Sequence, residues 1–516
     1  MINMNRRKAR VLLVMGVVAT VFSYRAYRYV QRRVEFPAVP ATMAQVEIPA
    51  DVDLIGEAIL DVYANDLVLS GDESLAITSV EPKEGPPGTE VVVSGAGFGD
   101  SHGNSQVMIN SVEAVAKVEV LEWTDTKIRF LVPVQSTTGD VNVVRWDYIR
   151  TERTPKGSFR PIAKNPRASN GIPFTVLGQE ENIALGKSIF FGWTQLNEEA
   201  SSLLRIPRLK IGTDPYKWEK YGFLPRVGEV DEGDSARFSR ATTIVGVRMQ
   251  QGLDGEYRIG YSCAFCHTGR DPATGLITPG LSSSTLQFGK LIATAPNLPE
   301  DMRKQALNWP PGTSDLTFRY FPDNVENPTA IMQNRGVRGL RYWASGGIAM
   351  PEYERHSNAW LMQGAPYMAP LKVSIALSVY LATLHAVKNP KVDKMVVARG
   401  LQVFRENRCD LCHTPAMGLY TNQRVFPFEA MGSNGPPTSR MKDTGGIRVA
   451  PLMSVYATAP YLHDHSVASL DDLFDPARLV VGSPIYRKPF TKGPSHPWVI
   501  KDVQKRKDLI EFVNSL

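Results

Sequence analysis

The sequence predicts a multidomain chain in which an all-β sandwich is followed by two mainly α domains, and three observations predict it. Between residues 75 and 177 short β-branched runs recur with Gly and Pro between them, which is the texture of a sandwich. Beyond residue 178 the apolar spacing turns helical, as in Glu181–Phe191 and Val392–Glu406. The pentapeptide C-x-x-C-H occurs once in each of two successive helical regions, at Cys263–His267 and Cys409–His413. A chain of 516 residues has room for three or four domains at about 150 residues each.

In each pentad the two thiols sit three positions apart on one helical turn. There each can add across a vinyl group of the same haem, and the next residue brings an imidazole to the iron. Two C-x-x-C pairs also suit a tetrahedral zinc ion, and a single pair suits a cytosolic redox motif. The histidine after each pair favours covalent haem, and so does the fact that the two pentads use all four cysteines of the chain. Cys263, Cys266, Cys409 and Cys412 are therefore the expected attachment points of two haem c groups, with His267 and His413 as proximal ligands.

Attachment of c-type haem takes place outside the bacterial cytoplasmic membrane, and the N-terminus agrees with export. Arg6, Arg7, Lys8 and Arg10 precede an apolar run from Val11 to Phe22, as in a secretion signal. That run is shorter than the ~20 residues that span a bilayer squarely. It is followed by Tyr24, Arg25, Tyr27, Arg28, Tyr29, Arg32 and Arg33 rather than by a small-x-small cleavage site. Residues 1–33 are read as an uncleaved anchor placing the protein in the periplasm on the inner membrane, with a cleaved signal as the alternative. Residues 34–74, broken by Pro37, Pro40 and Pro49, are a linker. A composition of 43% apolar and 21% charged residues is globular, and a net charge of +6 gives no case for nucleic acid. Such a charge fits either a patch for an acidic redox partner or a scattered solvated surface.

The sandwich occupies residues 75–177. Ile77–Pro82 leads through Gly85-Pro86-Pro87-Gly88-Thr89 into Glu90–Gly99, and further strands are expected at Gln106–Ile109, Lys127–Val132, Asp140–Arg145 and Phe174–Val176. The order S-V-x-P…G-x-x-G-T-x-V-x-V-x-G-x-G-F-G resembles the immunoglobulin-like IPT/TIG family, which implies a spacer or docking module. His102 reads as an exposed loop residue.

The first haem domain is expected at 178–388 and the second at 389–516, both cytochrome c-like. Leu185-Gly186-x-x-Ile189-Phe190 resembles the opening helix of the di-haem cytochrome c peroxidases. Val392–Glu406 before Cys409 and Asp508–Leu516 at the end read as the paired first and last helices of a cytochrome c domain. Ala459-Pro460-Tyr461-Leu462-His463-Asp464-His465-Ser466, with Leu470 and Leu473, is similar to the A-P-Y-x-H-D/N-G-S segment of the di-haem peroxidase superfamily, rubber oxygenase-like branch included.

In the peroxidases of that superfamily the x position is a methionine that ligates the second haem, and Leu462 cannot do so. The resemblance to the rubber oxygenase-like branch, which also lacks the methionine, implies that His463 is the sixth ligand, with His465 as second choice. A bis-histidine haem then sits at lower potential than a His/Met one. On another reading His463 only hydrogen-bonds a haem propionate. No histidine lies between Thr268 and Arg355. The first haem is therefore left with His356 from downstream, with Met350, Met362 or Met368, or with an open position. Tyr342-Trp343-Ala344-Ser345-Gly346 after Asn327-Pro328 resembles a degraded N-x-P…W-D-G segment. It implies Trp343 as a relay between the haems and Glu352 or Glu354 as an acid–base at the first iron.

Two functions are expected. In one, an exported di-haem cytochrome passes electrons from a bis-His second haem to a first haem open to hydrogen peroxide or dioxygen. In the other, both irons are capped and the chain is an electron-transfer subunit of a membrane redox assembly, with the sandwich as docking module.

Overall fold

The structure is a computed structural model. It describes residues 75–516 apart from 104, 115–117, 147, 154–158, 164–165, 194–220, 227–229, 252–256, 294–297, 316–327, 337–339, 341, 344–347, 350–369, 416–417, 428–445, 481, 486–495 and 497–498. The anchor and linker expected at 1–33 and 34–74 lie outside the described residues, among which no helix is long and apolar enough to cross a membrane.

The N-terminal part is a two-sheet β sandwich. Its strands are β1 (Ala76–Glu81), β2 (Glu84–Gly85), β3 (Glu90–Ala96), β4 (Gln106–Ile109), β5 (Val112–Glu113), β6 (Val120–Trp123), β7 (Lys127–Leu131), β8 (Gly139–Arg145), β9 (Tyr148–Arg153), β10 (Phe159–Ala163), β11 (Arg167–Ala168) and β12 (Ile172–Val176). One sheet runs β1-β3-β7-β6 and the other β2-β12-β8-β4-β5, with β11 on β8. Alternation sets the faces: Val91, Val93, Ile128 and Phe130 point inward from the first sheet and meet Val107, Ile109, Val141, Val143 and Phe174 of the second. Gly95 is required where β1 crosses closest, since a Cβ there would lie 2.1 Å from the Ala76 carbonyl oxygen. Strands β9 and β10 form a separate two-stranded sheet among the described residues, and on the main sheet Arg145 of β8 is paired with Arg167 of β11.

Helix α1 (Glu180–Gly192) follows the last strand directly. Gln179, before its first turn, is buried and donates through Nε2 to the carbonyls of Val134 (2.9 Å) and Ser136 (2.8 Å) in the sandwich. Its inner face, Ile189, Phe190 and Phe191, packs on Val373, Ala376, Leu377 and Tyr380 of α2 (Leu371–Ala382). Between these helices in the chain comes the antiparallel sheet β13 (Arg240–Ala241), β14 (Val247–Gln251) and β15 (Tyr257–Tyr261). Arg248, 1% exposed, is fully engaged there by Glu232 at 2.7 Å, Ser239 Oγ at 3.0 Å and Ser235 Oγ at 3.1 Å. Two further hairpins follow, β16 (Thr268–Arg270) with β17 (Ile277–Pro279) and β18 (Thr313–Ser314) with β19 (Thr329–Ala330). The region after the sandwich is thus helices interspersed with small sheets rather than mainly α; Pro310–Gly312, for one, follows the seven-residue helix Glu300–Ala306 and leads into β18.

The last part is built on α3 (Lys394–Glu406) and α4 (Val503–Asn514), each N-capped by an aspartate, Asp393 and Asp502. They cross at Gly400, where a Cβ would lie 2.0 Å from the Asp508 carbonyl oxygen. Arg399 grips the Asp508 carboxylate with two bonds of 2.9 Å.

Gly400→Ala is expected to force α3 and α4 apart and to cost about 1–3 kcal/mol or more, read by chemical denaturation. Arg399 is the largest cause holding the Asp508 carboxyl below its ordinary range. A carboxyl with a depressed folded pKa stabilises above its unfolded value and loses that contribution as pH falls through the folded one. Arg399→Ala should therefore lower stability at neutral pH, and the difference from wild type should shrink below about pH 4, as followed by unfolding at successive pH values.

Candidate functional site

Both pentads fold alike. Ser262, extended at φ −98° and ψ 177°, ends the run from β15 and opens a single helical turn, Cys263–Cys266. The amide of His267 closes that turn on the Cys263 carbonyl at 3.0 Å. The second pentad makes a 3-10 turn, Cys409–Leu411, and the His413 amide reaches the Cys409 carbonyl at 2.8 Å. In each turn the thiols and the ring are thereby held on one short piece of backbone.

The ring orientations also match. His267 Nδ1 lies 2.9 Å from the Met332 carbonyl oxygen, and His413 Nδ1 lies 3.0 Å from that of Tyr420. A carbonyl only accepts, so each Nδ1 carries the proton and the lone pair is on Nε2, the state a metal-ligating imidazole takes. Burial pushes both rings down to about 4, against the opposing carbonyl hydrogen bonds. Burial, and then the neighbouring Cys263, push the Cys266 thiol up to about 12. Cys412 is likewise raised to about 12 by burial, with Arg424 opposing.

The second pentad faces a cavity of about 330 Å³ lined by Cys409, Cys412 and His413 together with Phe404, Phe426, Leu462, Leu470 and Leu473. Three more histidines line it: His463, His465 and His496. The rings of His413 and His496 have centroids 6.4 Å apart and planes 31° from parallel. With a metal–imidazole bond of about 2 Å and about 1.1 Å more to each ring centre, two rings serving one ion would stand up to ~6.2 Å apart, so the observed spacing is compatible with a shared metal. His496 is fixed from behind, since its carbonyl accepts Arg478 Nη2 at 2.6 Å and its ring meets Phe474 edge-on at 5.9 Å.

His463 is held by its backbone and His465 by its ring. The carbonyl of His463 accepts the Ala330 N–H at 2.7 Å, and burial lowers the pKa of its ring. His465 places Nδ1 2.8 Å from the Pro311 carbonyl oxygen. His496 carried no motif, and the one sequence hint was its position just before the terminal helix that packs on α3. Among the described residues no group of three or more His, Cys, Asp or Glu is arranged to hold a metal ion, so the four thiols do not assemble the zinc site that two C-x-x-C pairs permit. Of the other expected residues, Trp343 lies in a two-residue strand paired with Ile348–Ala349, and its side chain is outside the described residues. So are Glu352, Glu354, His356, Met350, Met362 and Met368. His102 sits in its loop with Nδ1 3.0 Å from the Gly103 carbonyl oxygen and its ring edge-on to Trp123 at 4.9 Å.

Comparison with known proteins identifies the sandwich: residues 75–146 match the IPT/TIG domain. Among solved structures the chain aligns with hydrazine synthase from Kuenenia stuttgartiensis at 17% identity over 37% of this chain and 73% of that one, TM-score 0.26. It also aligns with a MauG-like protein associated with microbial copper homeostasis at 18% identity over 36% and 73%, TM-score 0.27. A third alignment, to a phosphatase described as putative from Bacteroides thetaiotaomicron, has 18% identity and TM-score 0.16, and covers 21% of this chain and 19% of that one. All three scores lie in the range where unrelated folds also align. No curated protein matches the chain.

Proposed function

We propose that the chain is an exported di-haem c-type cytochrome that transfers electrons, its C-terminal region comprising two cytochrome c-like domains divided near residue 388. The observation that carries this reading is the pair of imidazoles, His413 and His496, 6.4 Å apart in an apolar cavity that two thiols of the same pentad also line. The donor set and the cavity fit a covalently attached haem, which Cys409 and Cys412 would hold and His413 and His496 would ligate. This spacing favours His496 over His463 as the sixth ligand. Cys263, Cys266 and His267 hold the other haem. When bound, each haem supplies a one-electron couple, and an iron without a sixth ligand also binds peroxide or dioxygen.

The chain's own residues set how that chemistry runs. The carbonyls of Met332 and Tyr420 keep the proximal rings deprotonated at Nε2 and fix their planes. A second imidazole in place of a thioether holds the second site at lower potential, so it passes electrons on instead of storing them. The absence of histidine between Thr268 and Arg355 favours an open sixth position beside His267, with Glu352 or Glu354 as the proton donor there and hydrogen peroxide or dioxygen as substrate. Residues 1–33 hold the protein on the periplasmic face of the inner membrane, and its electrons come from a one-electron redox partner. If both irons are capped, the same chain is an electron-transfer subunit of a membrane assembly.

Expression with the c-type maturation machinery should give two haems per chain by pyridine haemochrome assay, and the Cys409→Ala/Cys412→Ala variant should give one. A wild-type count below two removes the proposal. In low-temperature EPR of the oxidised protein, His496→Ala should convert one low-spin ferric signal to high spin while His463→Ala leaves it in place. The reverse outcome would return the ligand role to His463.

A further inference from the structure

One residue belongs to both sites. The Met332 carbonyl accepts the His267 Nδ1 proton at 2.9 Å, and Met332 also lines the cavity shared by Cys409, Cys412 and His413. Its neighbours Ala330, Ile331 and Gln333 line that cavity too. Resting on the two-haem reading, we propose that the run Ala330–Gln333 is the electron route between the sites. It meets the second haem by direct contact along the cavity wall and reaches the first through the Met332–His267 hydrogen bond.

The run is held as a route must be, because tunnelling falls steeply when a through-bond path is replaced by a gap. Ala330 is paired with Thr313 of β18, and its N–H is bound by the His463 carbonyl at 2.7 Å. The Ile331 N–H is bound by the Gly312 carbonyl at 2.9 Å, and Gln333 Nε2 donates to the Met453 carbonyl at 2.7 Å. His465 fastens to Pro311 at 2.8 Å one residue before Gly312. A Cβ on Gly312 would stand 2.8 Å from the His465 ring, so the two segments are in close contact. The His463–His465 segment thereby becomes a clamp that positions the bridge, a duty separate from ligation. The transfer would move one electron, oxidising the haem held by His413 as it reduces the haem held by His267, and no atom or proton would cross.

The test uses the full di-haem protein, with one electron injected by a laser-excited ruthenium photosensitiser and the electron's redistribution between the haems followed optically. Ile331→Gly/Met332→Gly removes the wall side chains, replaces no axial ligand and keeps the backbone carbonyl that faces His267. It should slow redistribution by about tenfold or more, and it should shift the iron–imidazole stretching band of the His267 haem in resonance Raman. Leu307→Ala, an exposed change outside both sites, should leave the rate unchanged. An unchanged rate and band in the double glycine variant with both haems attached would overturn the route, as would a tenfold loss in Leu307→Ala alone. If the double variant does not fold, Gln333→Ala, which frees the run from Met453, is read in the same two ways. A wild-type chain carrying fewer than two haems is a different failure, that of the two-haem reading itself, and the haem count separates it from loss of the route.

Discussion

The hydrogen bond from each pentad's imidazole to a backbone carbonyl is the constraint on which the rest of the molecule turns. A neutral imidazole has one proton to place, and a carbonyl at Nδ1 decides the placement. For His413 the acceptor is local: Tyr420, seven residues on. For His267 it is Met332, separated by 65 residues of chain, so the small hairpins between them exist in part to bring that carbonyl back. The strand pair β18–β19 ends where Ile331 and Met332 begin, and its register fixes where the acceptor stands.

The second site is held by packing more than by local hydrogen bonding. The close crossing of α3 and α4 at Gly400, with Phe404, Leu509 and Val513 on the shared face, sets the distance between the pentad that follows α3 and the segment that precedes α4. His413 comes from the first and His496 from the second. The glycine at the crossing is what lets the two helices approach so closely.

What was legible in the sequence had a short-range signature. The runs at Val91–Val93 and Val141–Val143 announced strands and the helical spacing of Val392–Glu406 announced a helix, while the two pentads supplied the expectation of haem on which the proposed function rests. The pair β9–β10 was not anticipated, because its alternation is interrupted by Pro161 and by a bulge near Ile162. His496 was not anticipated either: a residue that meets its partner 83 positions upstream carries no local pattern. His463 and His465 drew attention through the motif around them, and their backbone carbonyl and Nδ1 bonds to Ala330 and Pro311 are tertiary facts that no window of sequence contains. The many short sheets after the sandwich escaped for the same reason, since two-residue strands are made by their partners rather than by propensity.

Only Leu177 and Gly178 separate the last strand of the IPT/TIG sandwich from Gln179, and the buried amide of Gln179 binds two carbonyls of the sandwich while standing at the head of α1. A long flexible tether would let the sandwich wander like a bead on a string. This junction instead makes it a lever arm. Any torque on the sandwich would pass to α1 and, through the Phe190–Tyr380 contact, into α2, so the junction couples orientation as well as proximity.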